Sequence, residues 1–168
     1  MAQQKQRVSR ETDWFCPGGA VAIAGLAANA QFPILDAAFT NPIDSQSYDA
    51  GTIVGLRAWC DVYPDAVISA RPYFVVMILP NGMAVPTVAT EIQRKQNEDF
   101  IWFWGPATRR ADDSFAAVDC FEYNVEIRSA RKFERAERLV MVIINRGTVA
   151  MGANTVCQVA VDAYLLEH

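Results

Sequence analysis

The segment Phe121-Glu122-Tyr123-Asn124-Val125-Glu126-Ile127-Arg128 decides how this chain is read. Apolar and polar residues alternate through it without a break. In an extended strand that puts the four apolar side chains on one face and the polar ones on the other. Glu122 and Glu126 then lie on the wet side, as expected for an antiparallel sheet with one face in a core.

Working outward from it, residues 129–138 form a charged corner. It is followed by Leu139-Val140-Met141-Val142-Ile143-Ile144-Asn145, and then Arg146-Gly147 turns the chain. The last strand is expected over 155–166, with Cys157, Val159, Val161, Ala163 and Leu165 facing one way and Gln158, Asp162 and Tyr164 the other. Upstream, 52–63 alternates in the same manner. Val54, Leu56, Ala58, Cys60 and Val62 share an apolar face, while Arg57, Trp59, Asp61 and Tyr63 share a mixed one. Pro64-Asp65 ends this strand. Residues 72–79 are apolar on both faces, which predicts a central, covered strand closed by the turn Pro80-Asn81-Gly82.

The connections are informative too. Residues 83–99 read as a long linker with a helical turn around 91–97, and 108–119 as a polar loop carrying Arg109-Arg110 and Asp112-Asp113. Between them, Phe100-Ile101-Trp102-Phe103-Trp104 is a short aromatic strand stopped by Gly105-Pro106. It contains no basic residue and follows Glu98-Asp99, so core packing is preferred over stacking of nucleic-acid bases. Residues 20–30 suit a strand or, being alanine-rich, a helix.

With two strands expected before residue 50, the total is about eight, and no helix is long enough for a parallel crossover. The predicted fold is all-β: an eight-stranded antiparallel jelly-roll sandwich with a short N-terminal arm. Residues 1–13 are assigned to the polar, basic arm and 14–168 to a single domain. An immunoglobulin-like sandwich is the competing architecture, but the long connections favour the jelly roll.

Composition narrows the function classes. The chain has 168 residues, 52% hydrophobic and 20% charged, enough for one core without staples. No apolar run reaches membrane-spanning length, and no apolar stretch follows the basic residues at the start, so neither a transmembrane segment nor a secretory signal is expected. Synthesis in the cytoplasm or nucleus follows. The cysteines, Cys16, Cys60, Cys120 and Cys157, are scattered and lack a CxxC pair. Three sit in apolar strand-like runs, where buried thiols act as small hydrophobes; no metal site is expected.

The only histidine is His168, and no phosphate-cradling or nucleophile motif occurs. A non-catalytic protein without a cofactor is therefore expected. Charge is uneven: Lys5, Arg7 and Arg10 give the first ten residues +3, against −4 for the whole chain. That arm is the candidate nucleic-acid contact. Arg128, Arg131, Lys132, Arg135 and Arg138, interleaved with Glu126, Glu134 and Glu137, form a second basic cluster suited to subunit contacts or phosphate. Trp59 and Tyr63 on a polar strand face are candidate interface aromatics.

The run from Phe121 to Asn145 resembles the capsid proteins of small circular single-stranded DNA viruses. In these an alternating strand enters a basic Arg-Lys-hydrophobic corner, here Arg131-Lys132-Phe133, and an apolar strand ends in Asn. Arg57-Ala58-Trp59 is similar to a strand of small satellite-virus coat proteins. The resemblance covers residues 52–166 and implies a single jelly roll that self-assembles into an icosahedral shell around a genome, and so resides in the virion. It implies copies of the same chain as partners and viral nucleic acid at the arm. A second capsid protein is a partner in some other single-jelly-roll virus groups, which the weakly basic arm of this chain would also suit. The departure is the arm: three cations in place of a long arginine-rich segment. At about 60 copies it would supply on the order of 180 charges, far below one per phosphate of a genome. The alternative is a cellular jelly-roll module that binds a ligand or carbohydrate as a small oligomer.

Overall fold

A computed structural model describes residues 12–23, 25–40, 50–65, 68–110, 120–134 and 136–167. The strands are β1 (Thr12–Phe15), β2 (Gly18–Ala22), β3 (Gln31–Ala38), β4 (Ala50–Tyr63), β5 (Tyr73–Pro80), β6 (Ile101–Pro106), β7 (Thr108–Arg110), β8 (Cys120–Ile127), β9 (Arg131–Glu134), β10 (Glu137–Ile144) and β11 (Val156–Glu167); the helix α1 is Glu91–Gln96. Residues 20–22 are therefore strand rather than helix, and the expected arm 1–13 overlaps the start of β1.

All strand pairs are antiparallel. They nest: β1 and β2 pair with β11, β3 with β10, β4 with β8, and β5 with β6. Rolling this nested hairpin joins β11 to β4 and β10 to β5. Two sheets result, with orders β1-β11-β4-β8-β7 and β3-β10-β5-β6; β2 extends the edge beside β1, and β9 pairs with the start of β4. Nested pairing split over two facing sheets is the jelly roll.

The core lies between the sheets. Leu56, Ala58, Cys60 and Val62 of β4, the odd residues of β8 and Cys157, Val159, Val161, Ala163 and Leu165 of β11 meet Phe74, Val76 and Ile78 of β5 and Leu139, Met141 and Ile143 of β10. The alternation predicted for β8 and β11 holds throughout. In β4 it fails at one place. A bulge opposite Tyr164 and Leu165 takes up Val54, so Val54 turns outward at 37% exposed and Ile53 enters the core. One extra residue reverses every later side chain, and alternation alone does not show where it sits. Close packing at that end also demands Gly51, where a Cβ would lie 2.6 Å from the Phe133 ring and 2.7 Å from the Leu166 carbonyl oxygen.

β5 and β10 are apolar on both faces because both are covered. Their outward residues Val75, Met77, Leu79, Val140, Val142 and Ile144 pack against Val88 and Ala89, with Met83, Val85, Phe100 and Ile101 around them. The long connection of residues 83–100 thus forms a lid over the sheet. Gln31 pins it from β3, accepting from the Val88 amide (2.6 Å) and donating to the Pro86 carbonyl (2.8 Å). A capping box between Thr90 and Gln93 starts α1 within it.

At the end of β10, Asn145 is fully buried. Its amide donates to the carbonyls of Leu26 and Val149, both at 2.9 Å, and its carbonyl accepts from the Gly147 amide at 2.9 Å. The Asn that ends the apolar strand therefore ties two loops to one strand end.

Candidate interaction surface

The outer face of the β11-β4-β8 sheet has no such lid among the described residues. Three cross-strand rows run over it, fixed by register. Asp162, Arg57 and Glu126 form the first, Ala160, Trp59 and Asn124 the second, and Gln158, Asp61 and Glu122 the third. Arg57 stands opposite a carboxylate on either side, so the central cation is flanked by unlike charges. Arg110 of β7 approaches Asp61 at 3.7 Å. Because β4 is the middle strand, its outward side chains Arg57, Trp59 and Asp61 lie at the centre of the face.

Trp59 occupies that centre, half-buried beside the small residues Ala160, Gly19 and Ala20. These leave a shallow cavity of about 370 Å³ next to the indole. Tyr63, 39% exposed, lies two pleats further along β4 and donates to Asp61 at 3.4 Å. Partial burial and the nearby Asp61 carboxylate raise its phenol above the ordinary value. A second shallow cavity, of about 380 Å³, lies between Arg57, Glu126, Arg128, Asp162 and Tyr164. No group of three or more His, Cys, Asp or Glu side chains suited to a metal occurs among the described residues.

The basic corner does not form one patch. Arg128 is exposed and pairs with Glu126 at 3.1 Å. Arg131 donates to the Asp99 carbonyl at 2.8 Å, tying β9 to the lid's end, while Lys132 points outward from β9. Arg138 is largely buried. It donates to Asp36 at 2.7 Å and to the carbonyls of Pro80 and Met83, clamping β3, the β5 turn and the lid together. Phe133, between the cations, is a core residue stacked on Phe39 at 4.5 Å. What the sequence presents as a loop corner is thus strand on both sides of Ala136 (φ 65°), where the chain passes from β9, paired with β4 in one sheet, to β10 in the other. Arg135, Lys5, Arg7, Arg10, Asp112 and Asp113 lie outside the described residues.

The aromatic strand β6 is divided in use. Trp102 and Phe103 pack on the inner core, Ile101 packs with the lid residue Phe100 on the other side, and Trp104 is 47% exposed. Cations absent from its own segment reach it through the fold. The Arg94 guanidinium of α1 lies 4.1 Å from the Trp104 ring centre, and Arg146 lies 4.7 Å from that of Tyr73. Arg94 is 6% exposed and pairs with Glu91. No local pattern foretells this stack, because its members come from separate elements.

No family model matches the sequence, and no curated protein matches it. Among solved structures the chain is similar to one from the cryo-EM structure of the semi-empty virus-like particle of giant freshwater prawn Macrobrachium rosenbergii nodavirus. The identity is 11%, over 100% of this chain and 92% of that one, with a TM-score of 0.33. The fold assignment rests on strand order and not on this likeness.

Proposed function

We propose that this chain is the structural subunit of a viral shell, acting by self-association and not by catalysis. The observation that carries the reading is the nested jelly roll with one sheet face covered by its own chain and the other left bare. The bare face bears a central indole, a tyrosine and charges of both signs. Such a surface suits contact with a second rigid copy, because aromatic anchors supply buried area while paired charges set orientation. The resemblance of residues 52–166 to small circular single-stranded DNA virus capsid proteins supports the same reading. In it, Lys5, Arg7 and Arg10 face the interior and touch nucleic acid, and Arg128 and Lys132 contribute to subunit contacts.

The purified full chain is examined by size-exclusion chromatography and negative-stain microscopy across protein and salt concentrations. Uniform closed shells are expected. A monomer or trimer under every condition overturns the reading. Removal of residues 2–10 is expected to lower nucleic-acid content in the shells; unchanged content and yield would remove the role given to the arm.

A second reading has one observation behind it. The cavity of about 380 Å³ around Arg57, Asp162 and Tyr164 lies within the size range of small-ligand sites. A cellular ligand-binding jelly roll would use it, and the trimer outcome above would favour it.

A further inference from the structure

The inner face of the bare sheet holds a pair of thiols with no part in the assembly surface. Cys60 of β4 and Cys157 of β11 are both fully buried, and their sulfurs stand 2.6 Å apart. The two strands are the middle pair of the sheet order β1-β11-β4-β8, hydrogen-bonded along their whole overlap. Register places Cys60 opposite Val159 and Cys157 opposite Val62, so the cysteines are diagonal neighbours on one face. The right-handed strand twist draws one of the two diagonals of such a pair together. The residues lie 97 positions apart in sequence, so only the fold brings them together.

We propose that Cys60 and Cys157 are a latent disulfide pair: a small disulfide oxidant such as oxidised glutathione converts them to a buried cystine bridging the two central strands. One protein thiolate attacks the glutathione disulfide and expels one glutathione thiolate, leaving a mixed disulfide. The second protein thiolate then attacks the protein sulfur of that mixed disulfide and expels the other glutathione. Two electrons leave the protein sulfurs, and the two protons end on the two released glutathione molecules. In the closed sheet the reaction is slow, because both sulfurs are shielded. The hydrogen bond between them, together with burial, also holds the Cys60 thiol well above its ordinary pKa and so protonated. The bond therefore forms while β11 is still docking onto β4, and once closed it is sealed from reductant.

The test refolds the full chain from denaturant with and without oxidised glutathione, then alkylates thiols under denaturing conditions and maps the peptides by mass spectrometry. A single cystine joining Cys60 to Cys157 is expected, with Cys16 and Cys120 alkylated. It should resist dithiothreitol in the folded protein and yield to it in denaturant. Closing so long a loop should raise Tm by on the order of 10 °C. Cys120→Ala should keep the cystine and Cys157→Ala should lose both the bond and the Tm gain. Folded protein with four alkylated thiols after oxidative refolding, or a cystine that uses Cys120 or Cys16, overturns the proposal. The wild-type peptide map decides this even if a variant does not fold. Because it reads the subunit alone, the outcome is independent of whether shells form.

Discussion

The outer faces of the two sheets began from the same problem and ended differently. A sheet in a sandwich buries its inner face by facing its partner, which leaves the outer face to water. On the β3-β10-β5-β6 sheet that face is Val75, Met77, Leu79, Val140, Val142 and Ile144, and residues 83–100 fold back over it. On the β11-β4-β8 sheet it is Arg57, Trp59, Asp61, Glu122, Asn124 and Asp162, uncovered among the described residues. The difference shows that a chain sets which face it will cover by strand pattern. An apolar strand on both sides commits the chain to building a lid, and an alternating strand leaves a surface for another molecule.

The sharpest way to break the comparison is to put a charge under the lid. Met77→Asp is expected to cost several kcal/mol and to leave little folded protein, whereas Gln158→Lys on the bare face, opposite Asp61, should stay within about 0.5 kcal/mol. Urea unfolding of the two variants measures this directly. Next in size is Asn145→Ala, which removes three hydrogen bonds at the end of β10 and leaves the buried Gly147 amide without its acceptor. A loss of about 2–4 kcal/mol is expected from the same titration.

Trp59→Ala tests the other side. Its stability cost should be below about 1 kcal/mol, yet particle yield by microscopy should fall sharply if the indole anchors copies. A normal yield of shells would mean that assembly uses edges and loops instead. Smaller still is a pH effect at the loop ends. Asp65 accepts from the Asn154 amide at 2.8 Å and from its side chain at 3.0 Å, with Thr155 at 3.4 Å, and these bonds hold its carboxyl below the ordinary value. A lowered folded-state pKa means the contribution is complete above the unfolded value and fades as pH falls through the folded one. Asp65→Asn should therefore remove part of the loss of Tm seen below about pH 4, where an unperturbed aspartate protonates. The smallest change is expected in the core that both sheets share. Tyr123 is buried against Phe74, its hydroxyl has no hydrogen-bond partner, and burial raises its pKa. Tyr123→Phe should be neutral or slightly stabilising in the urea titration.

Much of the fold was legible in the sequence. The alternation of 121–128 and 155–166 named the inward residues correctly, and 72–79 announced a covered strand. Two features were not legible. The bulge at Val54 inverts one stretch of β4, and both Ile53 and Val54 are apolar, so the pattern gives no sign of the switch. The corner 128–138 reads as one basic cluster, but the passage from one sheet to the other sets Arg138 against Asp36 and leaves Arg128 in solvent. At the candidate surface, Trp59 and Tyr63 were visible as aromatics on a polar face. Their neighbours Asp162, Ala160, Asn124 and Arg110 were not, because each comes from another strand.

By itself the sequence determined the strand periods, the absence of an imidazole centre outside His168, and therefore an all-β, non-catalytic expectation. Those properties depend on residues near one another in the chain. Only the tertiary structure decided which sheet keeps a bare face, which cations reach Trp104 and Tyr73, and that Cys60 meets Cys157. These depend on register between strands distant in sequence, Cys60 and Cys157 being 97 positions apart, and register is set by the packing of the whole core.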